Sequence, residues 1–169
     1  MTLTTHTATG MFVAYLTNDP ILGFFAAMGS HYITDAIPHG DEFIYWRHVH
    51  KQRDAIALAY AGIDLFFVVF IIMVVLNFST LSAPAVLALG AAGGILPDLL
   101  MTLNTLIKKR LNTSARGLSR IEQLAYLPIR AHYHFHQFLH DLVRYPVRFR
   151  VGLFIQILLL IAFILYMVR

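Results

Sequence analysis

Long apolar stretches alternate with short polar ones along this chain, and that alternation predicts its elements. Residues 65–97 run 33 positions without a charge, and 151–168 run 18. A membrane crossing takes about 20 mostly apolar residues. Helix one is expected over residues 4–17, short for a full crossing, and the Asn18-Asp19-Pro20 turn ends it. Helix two follows over 20–37, since proline suits a first helical turn, and 38–50 reads as a polar loop. Helix three covers 51–78, and helix four starts at the Ser82–Pro84 turn and ends near 109. Residues 110–127 read as a basic, polar connection. A histidine-rich helix over 129–142 is expected at the membrane interface, and helix five spans 147–168. The pattern predicts an all-α, multipass membrane helical bundle forming one domain. It would have four or five transmembrane or membrane-embedded helices plus the interfacial one.

Composition supports the same medium. The 169 residues are 58% hydrophobic and only 13% charged, where soluble domains carry about a quarter charged residues. No cysteine is present, which excludes disulfides and thiolate metal sites. The first ten residues hold neither a basic stretch nor a small-residue cleavage site, so no removable signal peptide is expected.

Folding the helices up and down places the charges. Twelve of the thirteen Lys and Arg residues gather at the end shared by the start of helix one and the end of helix two; only Arg169 falls opposite. The positive-inside rule makes that end cytoplasmic, with the N-terminus there, in a cell's inner membrane. The basic excess then reflects topology and contact with anionic lipid rather than nucleic acid.

The same end collects unusual residues. "SHYITDAIPHGD" (30–41) holds His31, Asp35, His39 and Asp41, and His6 begins helix one. Asp64 and Asp98 each lie nine residues inside an apolar helix, about 14 Å deep at 1.5 Å rise per residue. Ionisable groups at such depth are costly and face a partner or a water-filled cavity. His31 and Asp35, four apart, share a helical face, and neutral imidazole with carboxylate suits zinc, manganese or iron. In "GGILPDLL", Gly93 and Gly94 allow close backbone approach, and Pro97 interrupts the hydrogen-bond ladder beside Asp98. In "RAHYHFHQFLHD", His132, His136 and His140 recur every four residues, with His134 and Asp141 alongside. That stripe supplies further ligands, an acid/base group such as His136, or only a wet amphipathic face. His39 and Asp41 read equally as ligands or as solvated loop residues.

"TH" (Thr5, His6), "GSHYITDAIPH" and "GGILPDLL" resemble elements of the small bacterial and archaeal membrane-bound, metal-dependent hydrolases. More distantly they are similar to the helical zinc-dependent phospholipase C and nuclease superfamily. The resemblance covers about 40 of the 169 residues. It implies a multinuclear metal site that cleaves phosphoesters, with His6, His31, Asp35 and Asp98 as ligands and His39 as a fifth. A second His-x-x-x-Asp motif is missing, since "YAGID" has Tyr60 where a histidine would be needed, and the segment order differs from the phospholipases.

The expectation is therefore a divalent-metal hydrolase, zinc- or manganese-dependent, acting on a phosphoester of a membrane lipid or lipid-linked compound. Asp64 or His136 would move the proton, and Arg47, Arg53 or Arg130 would hold a phosphate at the surface. Two other classes compete: a metal-ion or proton transporter, which needs a path to both faces, and a haem protein, which needs facing histidines without carboxylates. An oligomer is compatible with all of these.

Overall fold

A computed structural model of the chain describes residues 1–40, 54–81, 83–113, 119–142 and 147–169. These form six helices, with no strand among the described residues. The helices are α1 Leu3–Thr17, α2 Pro20–Asp35, α3 Asp54–Phe78, α4 Pro84–Thr113, α5 Arg120–Leu142 and α6 Phe149–Met167. Arg47, Lys51, Arg53, Asp41 and Arg116 lie outside the described residues, as does the start of expected helix three.

Local chemistry sets the helix ends. The Thr2 hydroxyl accepts from Thr5 N at the start of α1, and Asn18, left-handed at φ 50°, ends it. Asp19 Oδ1 accepts from Leu22 N at 2.7 Å, and Pro20 occupies the first turn of α2. Both are the expected solutions for orphan N–H groups. The sequence reading placed the start of α5 nine residues too late. Ser119 and Glu122 form a reciprocal capping box: Ser119 N reaches Glu122 Oε2 at 2.8 Å, and Glu122 N returns to Ser119 Oγ at 3.3 Å. "SRIE" carries that signature in the sequence, and Pro128 lies inside the helix.

Three helices are long and apolar enough to cross a membrane: Leu58–Phe78 in α3, Pro84–Leu111 in α4 and Phe149–Met167 in α6. α1 and α2, at 15 and 16 residues, are shorter and form a hairpin packed on α4. Every residue from Thr4 to Met11 is buried, because α1 runs through the middle and touches α2, α3, α4 and α6.

Small residues decide how closely α1 and α4 approach. His6, Gly10 and Ala14 form an i, i+4 row on α1, and Gly90, Gly94 and Asp98 form the facing row on α4. A Cβ on Gly94 would overlap the His6 carbonyl, and one on Gly90 would overlap Ala14. Between apolar helices in lipid, association comes from such close packing rather than from exclusion of water. The row has a functional consequence. One turn beyond Gly94 comes Asp98, so the contact that locks the helices also sets Asp98 beside His6. At the other end of the bundle Met11, Ile71, Val75, Leu87 and Met167 make an apolar core.

Candidate metal centre

Four helices deliver one polar cluster. α1 brings His6, α2 brings His31 and Asp35, α4 brings Asp98, and α5 brings His136. One ligand atom from each of His31, Asp35, Asp98 and His136 lies within 4.8 Å of the others. The separations run as follows: His31 Nε2 to Asp35 Oδ2 3.5 Å, to Asp98 Oδ1 3.7 Å and to His136 Nε2 3.2 Å, and His136 Nε2 to Asp35 Oδ2 3.2 Å. A tetrahedral ion with ligands near 2.1 Å spaces them about 3.4 Å apart. Four of the six edges, at 3.2–3.7 Å, have that length, and the two that join Asp98 to Asp35 and His136 stay within 4.8 Å. His6 Nε2 meets the outer oxygens of both carboxylates, at 3.1 Å from Asp35 Oδ1 and 3.9 Å from Asp98 Oδ2.

Hydrogen bonds on the far side of the His31 and His6 rings fix which nitrogen faces in, whereas His136 Nδ1 is buried without a hydrogen-bond partner. His31 Nδ1 is 2.8 Å from the Gly94 carbonyl, which can only accept, so Nδ1 carries the proton and Nε2 is bare. Thr34 Oγ1 donates to the His31 carbonyl at 2.9 Å and so accepts from His6 Nδ1 at 3.2 Å. Backbone or hydroxyl partners of this kind orient ligating histidines in metal proteins. The outcome is a set of lone pairs aimed at one another. A proton on His136 Nε2 relieves some contacts, but His6, His31 and two carboxylates still converge as acceptors. A divalent cation relieves them together, so these residues fit one.

The site is closed on one side and open on the other. The Asp35 side chain is 6% exposed and the Asp98 side chain 29%. A second group, Asp35, His39 and His140, adjoins the first through the shared Asp35. His39 Nδ1 donates to the Ile37 carbonyl at 2.8 Å, again leaving Nε2 inward. The Met1 ammonium lies 2.8 Å from that Nε2 and 2.9 Å from Asp35 Oδ1, so a positive charge already sits in this group. Gly152 makes room for the turn, since a Cβ there would overlap the His39 carbonyl.

Not every expected residue joins. Asp64 does not face Asp98; it accepts Leu3 N at 2.8 Å and Thr4 N at 3.1 Å, with the Thr4 hydroxyl as a further donor. It thus caps the buried start of α1 from the neighbouring helix, where the helix dipole favours a negative charge. Gln156 on α6 assists, accepting Thr2 N at 2.9 Å. His136, from a stripe read as further ligands, an acid/base group or a wet face, stands among the ligand atoms. Arg130 is exposed on α5, and Arg47 and Arg53 lie outside the described residues.

Sequence reasoning missed Thr34, Tyr32 and the pairing of His140 with His39. Thr34 sits three residues after His31, but only the fold brings it to His6. Tyr32 OH is 3.0 Å from His132 Nε2. Burial, reinforced by His136, lowers the His132 pKa below its ordinary value, so this ring is neutral and belongs to the cluster's wall. No protein-family model, curated protein or solved structure matches this chain, and the site stands on its geometry.

Proposed function

We propose that the protein is a membrane-embedded, divalent-metal-dependent hydrolase acting on a phosphoester of a lipid or lipid-linked compound. One observation carries the reading: three imidazoles, two of them turned inward by their outer hydrogen bonds, and two carboxylates from four helices meet near ligand spacing. Zinc and manganese both suit this donor set. His31, Asp35, Asp98 and His136 would hold one ion; a second, on Asp35, His39 and His140, would have to displace the Met1 ammonium. A metal so bound supplies a water of lowered pKa and a Lewis acid for the ester oxygen.

The chain's own residues do the rest. Gly94 O and Thr34 Oγ1 hold His31 and His6 in their ligating tautomers. Asp98, the more exposed carboxylate, marks the mouth through which a headgroup enters. Arg130, with Arg47 and Arg53, gives the phosphate a cationic approach at the membrane surface. The resemblance of "GSHYITDAIPH" and "GGILPDLL" to membrane-bound metal-dependent hydrolases supports the same reaction class. A transporter would need ionisable groups leading to the opposite end, where Asp19 is committed to capping α2. Charge asymmetry puts the site on the cytoplasmic side of an inner membrane, with the N-terminus on that side.

The test is elemental analysis of protein purified without added metal, followed by phosphate or headgroup release from mixed membrane lipids. One or two equivalents of zinc or manganese, and release that chelation abolishes, are expected. Metal-free protein that takes up neither ion on addition would overturn the reading.

A further inference from the structure

α5 carries three kinds of face. His132, His136 and His140 turn toward the cluster. Arg130 and Gln137 are exposed polar residues elsewhere on the helix. The third face is an apolar stripe of Ile121, Leu124, Leu127, Phe135, Phe138 and Leu142, each 51–80% exposed. Their spacing follows the three-and-four rhythm of one helix side. Among the described residues α5 packs only on α4 and α2, so none of them covers that stripe.

Its position says what does. Tyr126 OH donates to Asn104 at 2.6 Å, and Ala125 and Ile129 line a groove with Ile107 and Leu111. Those α4 residues close its apolar candidate span, beside Lys108, Lys109 and Arg110, so α5 packs at the end of that span, where an interfacial helix would lie. Cations flank it: Arg120 and Arg130 on α5, and Lys108, whose ammonium lies 3.9 Å over the Tyr133 ring. An apolar stripe bordered by cations matches an anionic lipid surface.

We propose that α5 lies in an anionic leaflet along this stripe, and that this seating holds His136 in the metal centre. The second half rests on the metal-centre reading and deepens it: lipid becomes part of what assembles the site. Among the described residues α5 packs on two helices, yet it supplies a ligand atom 3.2 Å from Asp35. Loosening α5 from the leaflet therefore withdraws His136 and weakens metal binding without touching a ligand.

The chain has no cysteine, which makes the test direct. Single cysteines at Leu124, Phe138 and Gln137 carry an environment-sensitive fluorophore in vesicles of phosphatidylcholine and phosphatidylglycerol. Brominated acyl chains should quench the labels at 124 and 138 and spare 137. Equal quenching at all three overturns the docking, as does cross-linking of two copies through 138, which would make the stripe a dimer seam. Zinc affinity is then measured in the same bilayers. Phe135→Gln with Phe138→Gln should weaken it about tenfold, the scale of losing ligand support, and should add nothing in a His136→Ala background. Unchanged affinity overturns the coupling while leaving the docking standing. Wild type that binds neither zinc nor manganese sinks the proposed function instead, and the quenching pattern still decides the docking.

Discussion

The Gly94 carbonyl accepts the Nδ1–H of His31 at 2.8 Å, while the Gly94 Cα lies directly against the His6 backbone. One residue without a side chain thus fixes the spacing of α1 and α4 and the tautomer of a ligand on α2. Fold and site share a keystone, and perturbing one should perturb the other.

Gly94→Val tests that link. The new side chain overlaps the His6 carbonyl, and overpacking of this kind costs about 1–3 kcal/mol. Metal content should fall although no ligand has changed. Gly29→Ala is the control, because a Cβ there meets nothing within 4 Å. It should melt at or slightly above the wild-type temperature, as alanine favours the helix.

Removing ligands should strip metal and spare the bundle. His31→Ala with Asp35→Ala deletes both ligands that α2 contributes. Elemental analysis should find no bound zinc or manganese, with the protein still in the membrane fraction. Unchanged metal content would eliminate the centre as drawn.

Asp98→Asn keeps the size of the side chain and loses its charge. Asp98 Oδ1 lies 3.7 Å from His31 Nε2 and Oδ2 lies 3.9 Å from His6 Nε2, so the variant weakens both ligand edges. Metal affinity and phosphoester hydrolysis should fall together. Full turnover with normal metal content would assign this aspartate a structural role.

Asp64→Asn should behave differently. Asp64 satisfies two backbone N–H groups at the buried start of α1, and the amide of asparagine replaces one acceptor with a donor. A buried donor left unmatched costs about 1–3 kcal/mol. The melting temperature should drop while metal content per folded protein stays at the wild-type value. Loss of metal without loss of stability would return Asp64 to the site.

Topology follows from charge. Cysteines at Ser119 and at Ser79 lie at opposite ends of the bundle. In intact cells an impermeant thiol reagent should label the one at 79 and leave 119 unlabelled. The reverse pattern would turn the site toward the outside.

Much of this was legible because it is local. Hydrophobic runs gave the spanning stretches of α3, α4 and α6; Asn18, Asp19 and Pro20 gave the turn between α1 and α2. The i, i+4 spacing of His31 and Asp35 put both on one face whatever the neighbouring helices did. "SRIE" was equally local, and the reading passed over it.

What the sequence could not carry was the choice among partners. Asp64 and Asp98 have the same depth and the same chemistry, and depth alone pairs them. The fold separates them, because α1 threads between its neighbours and its unpaired N–H groups claim Asp64 first. His136 reads as ligand, acid or wet surface until α5 is laid against α2 and α4. Sequence determined the residue types, their helical faces and the charged end of the bundle, since these depend on helical period and on the cost of charge in lipid. Tertiary structure decided which lone pairs meet. That depends on the close approach at Gly90 and Gly94, a long-range contact between backbones that no local pattern encodes.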